Sequence, residues 1–193
     1  MLEASETEHA VHGRIIRVGR QLVRQGLVHS CVGNISARVG GWIIISAAGA
    51  MLDRLSVATL VEVPLEAPAP PLAASSDARL HLAIYRQTSA GAIVHTHSPY
   101  AVAESLTGES ILRSPDIEST AVLGGIPVVD PGGEMDELCG RCVDALRGHA
   151  AIIIRAHGVV AIGDTVEQAF AKASFAEHAC RIRHLCREGR VRG

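Results

Sequence analysis

Apolar residues recur at Val11, Ile15, Val18 and Leu22, one face of a helix, behind Ser5-Glu6-Thr7-Glu8, which has the capping-box pattern. This predicts a first amphipathic helix ending near Gly26. The Gly/Asn/Ser-rich CVGNISARVGG and the β-branched run Trp42-Ile43-Ile44-Ile45 follow, then SAAGAML, and read as strand, turn, strand, loop. The proline-rich EAPAPPLA (Glu66 to Ala73) reads as a surface loop. Ser75-Ser76-Asp77 opens a helix carrying Leu80 and Ile84, and AIVHTH after Ala90-Gly91 reads as a strand. Ser98-Pro99 starts a helix running to about Leu106, with serine at the cap and proline at the first helical position.

Further on, Ile126 to Val129 reads as a strand, Glu134 to Leu146 as a helix, and AIIIRAHGVVAIG as two strands about a turn. Asp164-Thr165-Val166-Glu167 caps a last helix to Cys186, and REGRVRG reads as a frayed basic tail from about residue 187. Ala169, Ala171, Ala173, Ala176 and Ala179 suit that helix to close packing on a sheet. Strands and helices interleave, and short links such as Gly40-Gly41 and the His157 turn favour antiparallel pairing over a doubly wound sheet. No internal repeat is present, and residues 1–193 read as one domain.

Composition narrows the function classes. Hydrophobic residues make up 48% and charged residues 20%, which excludes a disordered chain, while aromatics at 3% leave the core to aliphatic side chains. A net charge of -2 offers no basic face for nucleic acid or an anionic membrane. The apolar runs are far shorter than a membrane span and the N-terminus is acidic where a signal peptide is basic, so a cytoplasmic location is expected. Five cysteines without a tight framework agree with a reducing compartment, and Cys139 and Cys142 read as helix residues, not a redox pair. Lys172, the only lysine, falls mid-helix and is badly placed for Schiff-base chemistry.

Candidate chemistry centres on histidine. His95 and His97 are two apart in a strand, so both rings point to one face, as ligation of one metal ion requires. Ten histidines in the chain produce about half of one HxH by chance, so the pair alone assigns nothing. His157 lies at another strand end, with Gly158 free to turn the ring inward. Asp77 at a helix start reads either as a dipole-stabilising cap or as a site carboxylate, and Ser75 and Ser76 beside it could bind an anionic group. Gly33, Asn34, Ser46 and Gly49 lie in turns that could add donors. His9, His12, His178 and His184 read as surface or packing residues.

Taken together, GNIS (Gly33 to Ser36), SAAG (Ser46 to Gly49), SSD with LHLAIYR (Ser75 to Arg86), VHTHS (Val94 to Ser98) and HGVVAIG (His157 to Gly163) resemble, in order and spacing, the class II aldolase/adducin family. The resemblance runs from about Ile15 to Cys186. It implies an α/β/α sandwich with a mostly antiparallel central sheet, usually a homotetramer with sites between subunits. It implies a divalent metal on His95, His97 and His157, an acid/base carboxylate at Asp77, and substrate or phosphate contacts at Gly33, Asn34, Ser46, Gly49, Ser75 and Ser76. Asp116 and Glu118 fall where a neighbouring subunit's acid/base residue sits in the family, although surface charge is their ordinary reading.

The implied reaction is retro-aldol cleavage of a small sugar phosphate or hydroxy-ketone through a metal-stabilised enediolate, which fits a chain with one misplaced lysine. Asp77 would move a proton if the site raises its pKa towards neutrality. Three imidazoles suit Zn2+; Mn2+, Co2+ or Fe2+ could occupy the same site. The chain departs from the pattern at Asp77, where the aldolases carry glutamate, and at Ala47-Ala48, where a hydroxyl for phosphate is lost. It also has no tyrosine after Tyr100. The aspartate resembles the epimerases and the missing tyrosine speaks against them. A decarboxylase of a hydroxy- or aromatic acid, a sugar-phosphate epimerase and a non-catalytic adducin-like assembly domain are the alternatives.

Overall fold

A computed structural model of the chain describes residues 2–190, with side chains described over 9–189. Eight strands make one sheet: β1 (Asn34–Val39), β2 (Trp42–Ser46), β3 (Leu60–Pro64), β4 (Ala92–Thr96), β5 (Ile111–Leu112), β6 (Ile126–Val129), β7 (Ala151–Ile154) and β8 (Gly158–Gly163). Their order is β3-β2-β1-β4-β8-β7-β6-β5, and every neighbouring pair is antiparallel except β6 and β7. Two-residue links explain much of this: Gly40-Gly41 turns β1 back on β2 with Val39 opposite Trp42.

Alternation in the strands feeds two cores. On one face Ile35, Ile44, Val94, Ile153 and Val159 pack under α1 (Leu2–Arg24), α3 (Pro99–Ser105), α4 (Ile117–Leu123) and α6 (Val166–Arg190). On the other, Ile43, Ile45, Ile93, Ile152 and Val160 pack under α2 (Ala78–Gln87) and α5 (Met135–Leu146). The α/β/α sandwich expected from the sequence is therefore present. Among the described residues no helix is long and apolar enough to cross a membrane.

Several local expectations change. Helix α1 begins at Leu2, so Ser5 lies inside it, and the side chains of the expected capping box are outside the described residues. Helix α6 continues to Arg190, so residues 187–190 are helical rather than a frayed tail; 191–193 lie outside the described residues. Its cap is shifted by one: the Thr165 hydroxyl accepts from the Gln168 N–H and Gln168 reaches back to the Asp164 N–H, while Glu167 pairs with Arg17 at 2.7 Å. Ala169, Ala173, Ala176 and Ala179 are buried on the sheet as expected, but Ala171 is exposed. Strands β3 and β5 and helix α4 were not anticipated. Cys139 and Cys142 are buried in α5, and burial pushes the Cys142 thiol up to about 12, an inert helix residue rather than a redox thiol.

Candidate metal centre

The end of β4 is fixed from both sides. A Cβ at Gly33 would lie 2.8 Å from the His95 carbonyl oxygen, and one at Gly158 only 1.9 Å from that of Thr96. Glycine at both places lets the flanking backbones close on the strand. Beyond it, Thr96 Oγ1 and Ser98 Oγ are 2.8 Å apart, and Ser98 donates to the Leu27 carbonyl. The turn carrying His157 is held as firmly. Arg155 donates through its backbone to Val129 and through Nε to Asp130 at 2.5 Å, and the Ala156 N–H donates to Ser105 Oγ at 3.0 Å.

These constraints bring three rings together. The centroids of His95 and His97 are 4.8 Å apart, those of His95 and His157 4.9 Å, and those of His97 and His157 4.5 Å. One ligand nitrogen from each falls within 4.8 Å of the others. His95 is 1% exposed; its Nδ1–H donates to the Val159 carbonyl at 2.8 Å, which leaves the Nε2 lone pair facing His157 Nε2 at 3.1 Å. A neutral imidazole with one nitrogen tied to a carbonyl is a prepared metal ligand. Burial depresses His95, with the Asp77 charge opposing it, and burial with the neighbouring histidines brings His97 down to about 4. Ring nitrogens converging on one point, two of them on imidazoles depressed towards the neutral form, fit a divalent ion.

Asp77 lies at the start of α2, yet its side chain makes no cap hydrogen bond. Its carboxylate turns to the cluster instead: Oδ2 accepts from Asn34 Nδ2 at 2.6 Å and lies 3.7 Å from His95 Nε2. Burial would raise its pKa, but His95, His81, the Asn34 bond and His157 together hold it below the usual carboxylate value. The rise towards neutrality that proton transfer by Asp77 would call for is absent, and Asp77 is an ionised carboxylate.

A cavity of about 360 Å³ opens over this group, lined by Gly33, Asn34, Gly49, Ser75, Ser76, Asp77, His97 and His157, and also by Cys31, Val32, Ala47 and Ala48. Backbone bonds from Ala48 to Ala73 and from Ser75 to Ser46 tie the two loops along its wall. No arginine or lysine lines it, so an anion there would depend on N–H groups, hydroxyls and a bound ion. Ser46 departs from expectation. Its hydroxyl is buried and accepts from the Ile35 N–H, below the cavity rather than in it. Asn34 serves Asp77 first. Asp116 caps α4, accepting from the Ser119 N–H at 2.8 Å, and Glu118 lines a separate groove with Phe170 and His178; neither reaches the histidines within one chain.

The sequence reading passed over Cys31, two residues before Gly33, and His81, one helical turn after Asp77. The second had a signal, since residues four apart share a helix face. His81 is fully buried, its Nδ1 is 2.7 Å from Ser36 Oγ, and burial takes it down to about 3.

Comparison with known proteins agrees with this fold. A family model described as the Class II Aldolase and Adducin N-terminal domain matches residues 13–184. An L-fuculose phosphate aldolase of Methanococcus maripaludis is 31% identical, covering 79% of this chain and 84% of its own. A methylthioribulose-1-phosphate dehydratase of Acidiphilium cryptum is 31% identical, covering 81% of each. A probable bifunctional methylthioribose-1-phosphate isomerase/methylthioribulose-1-phosphate dehydratase of Nocardia farcinica is 28% identical over 98% of the chain, which spans only 39% of that relative's length. The solved L-fuculose-1-phosphate aldolase of Thermus thermophilus superposes with a TM-score of 0.90 at 33% identity, over 95% of this chain and 97% of its own.

Proposed function

The chain belongs to the class II aldolase and adducin N-terminal domain family, and from that premise we propose that it is a metal-dependent lyase cleaving a C–C bond of a small phosphorylated hydroxy-ketone or sugar. The observation that carries this reading is the convergence of three imidazoles with one ionised carboxylate, with no lysine in the cavity wall. His95, His97 and His157 would hold a divalent ion, Zn2+ being the best match to three nitrogens. When bound, that ion supplies Lewis acidity, drawing electron density from a substrate carbonyl and spreading the charge of the enediolate.

The chain's own residues do the rest. Asp77 takes the proton of the substrate hydroxyl whose C–C bond breaks and returns a proton to the carbon left behind. Asn34 Nδ2 holds the carboxylate in place for both transfers. Backbone N–H groups of the Gly33 and Gly49 turns and the hydroxyls of Ser75 and Ser76 receive the phosphate. Ser46 braces the wall and makes no substrate contact. A homotetramer, with a second copy's Asp116 or Glu118 approaching the cavity, belongs to the same reading and would be seen by light scattering.

Loss of water from a ketose phosphate is the second reading, favoured by the dehydratase named among the relatives with equal coverage. It begins instead with removal of a carbon-bound proton beside the carbonyl, reaches the same kind of enediolate, and then breaks a C–O rather than a C–C bond. Substituting His95→Ala should abolish bound metal and turnover together; turnover by metal-free protein would overturn both readings. Aldehyde released from L-fuculose 1-phosphate supports the lyase, water loss from methylthioribulose 1-phosphate the dehydratase, and CO2 from a carboxylated substrate would favour a decarboxylase over either.

A further inference from the structure

Asp77 and His157 line two cavities, not one. On one side is the large cavity already described, walled by the hydroxyls of Ser75 and Ser76, by Asn34 and by glycine turns. On the other is a cavity of about 120 Å³, lined beyond Asp77 and His157 by Leu80, Pro131, Met135, Leu138 and Ile154. The two open on the same carboxylate and the same ring, and their chemistry differs. Proline has no N–H to give, and the only heteroatom in the other four side chains is the Met135 sulfur, a weak acceptor.

The residues that build the metal centre also build this cavity. Leu80 stands three residues after Asp77, one turn into α2, and is buried. Ile154 ends β7, and its carbonyl accepts from the His157 N–H at 3.0 Å, so the turn that aims His157 also sets Ile154. Met135 and Leu138 complete the wall from the start of α5, a helix that Arg79 and Asp136 join to α2 at 2.9 Å. Met135, 41% exposed, forms the rim, where an unbranched thioether adapts to what it covers.

Such a wall offers a sugar hydroxyl nothing. A hydroxyl moved there from water loses hydrogen bonds without replacement, whereas an alkyl group sheds its water favourably. An apolar cavity of about 150 Å³ holds a benzene ring, so one of 120 Å³ takes a chain of roughly two to four carbons.

We propose that this cavity receives the end of the substrate remote from its phosphate, and that this end is a short apolar chain rather than a hydroxymethyl group. The proposal rests on the metal and phosphate sites of the function proposed above and adds a third point of contact. Leu80, Met135, Leu138 and Ile154 are then specificity residues, touching the end of the substrate that does not react.

The probes are ribitol 1-phosphate and two analogues in which its terminal CH2OH is replaced by methyl or n-propyl. None has a carbonyl, so none is turned over, and titration calorimetry on Zn2+-loaded protein reads binding alone. The propyl analogue should bind at least about tenfold more tightly than ribitol 1-phosphate, with the methyl analogue between them. Met135→Gln keeps the length and helix preference of the side chain but makes the rim polar, and Leu138→Phe fills the cavity. Each should cut the preference to about twofold or less, while Met135→Leu retains it. Thermal melts establish folding, and Met135→Gln, at the exposed rim, decides the matter if Leu138→Phe does not fold. Equal affinities in the wild type, as when a neighbouring copy fills the cavity, would overturn the inference, as would a preference that survives Met135→Gln and Leu138→Phe. Binding of none of the three overturns the phosphate site and this inference with it; binding of all three without preference overturns the inference alone.

Discussion

Gly158 is the residue where a side chain is least tolerable, because its would-be Cβ meets backbone rather than a movable side chain: the Thr96 oxygen at 1.9 Å. Gly158→Ala should therefore push β8 from β4 at the point where His95 and His157 face each other. We expect a loss of about 1–3 kcal/mol in chemical denaturation, together with weaker metal binding; unchanged affinity would show that the triad tolerates movement between the strands. Protons test the same residues differently. In the folded chain His97 titrates at about 4 and His81 at about 3, against about 6.5 when unfolded. The unfolded chain thus binds more protons between these values, so stability is full above about 6.5 and falls as pH drops through 4 and then 3. Melting of metal-free protein should fall steadily below pH 6.5, and a profile flat from 7 to 4 would contradict the burial of His81 and the crowding of half-buried His97 by its neighbours. His95, His97 and His157 were candidates from spacing and strand ends, and it was the resemblance of the surrounding motifs to a family that joined them into one set. The burial of Ser46 and the inward turn of Asp77 were not legible, because both depend on neighbours distant in sequence: Ile35 for one, Asn34 for the other.

Helix α6 secures α3, the element that immediately follows the metal-bearing strand. Glu177 accepts from the N–H groups of Tyr100 and Ala101, at 3.0 and 2.8 Å, capping α3 from outside. At the other end Glu104, fully buried, meets Arg183 at 3.2 Å, Arg187, and His184 at 3.6 Å. Arg183, 15% exposed, also donates to the Arg113 carbonyl and to Glu109. Removing Arg183 takes one of three basic partners from a fully buried carboxylate, whereas neutralising the carboxylate leaves Arg183 still paired with Glu109 and Arg187 44% exposed. Arg183→Ala should accordingly cost about 1–3 kcal/mol and Glu104→Gln less, as read by urea denaturation; the reverse order would mean that the arginines, not the glutamate, need the pairing. None of this could be read along the chain. Ser98 has the residue type and position of a cap, but its hydroxyl is engaged by Thr96 and Leu27, and the cap comes from Glu177, 77 residues beyond Tyr100. Strand β3 escaped notice because it is short, ends in Pro64 and runs into the proline-rich loop; α4 because Pro115 and Ser114 mask a seven-residue helix. Helices α1 and α6 and strands β4, β7 and β8 were legible, their apolar periods being long or uninterrupted.

At the scale of the molecule, the question is whether the metal would hold the fold or the fold would hold the metal. Small zinc domains fall in the first class, since they lack a core and unfold when the ion is removed. Here two aliphatic cores, one on each face of an eight-stranded sheet, are complete without the histidines. The ligands are set by contacts that need no ion: Val159 fixes the His95 ring, Gly33 and Gly158 fix its strand, and Arg155 and Ser105 fix the turn that carries His157. What an ion adds is relief from packing three imidazoles together, plus the binding term RT ln(1 + [L]/Kd). Chelator-treated protein should therefore keep its far-UV circular dichroism and a cooperative transition, melting lower by an amount that grows with the free metal concentration of the loaded sample. Unfolding on chelation would place the protein with the metal-nucleated domains and would mean that the triad is a structural tie, not a prepared reaction centre. A cooperative metal-free state would instead mean that the sheet pays for the geometry in advance, which electrostatic catalysis by positioned groups requires.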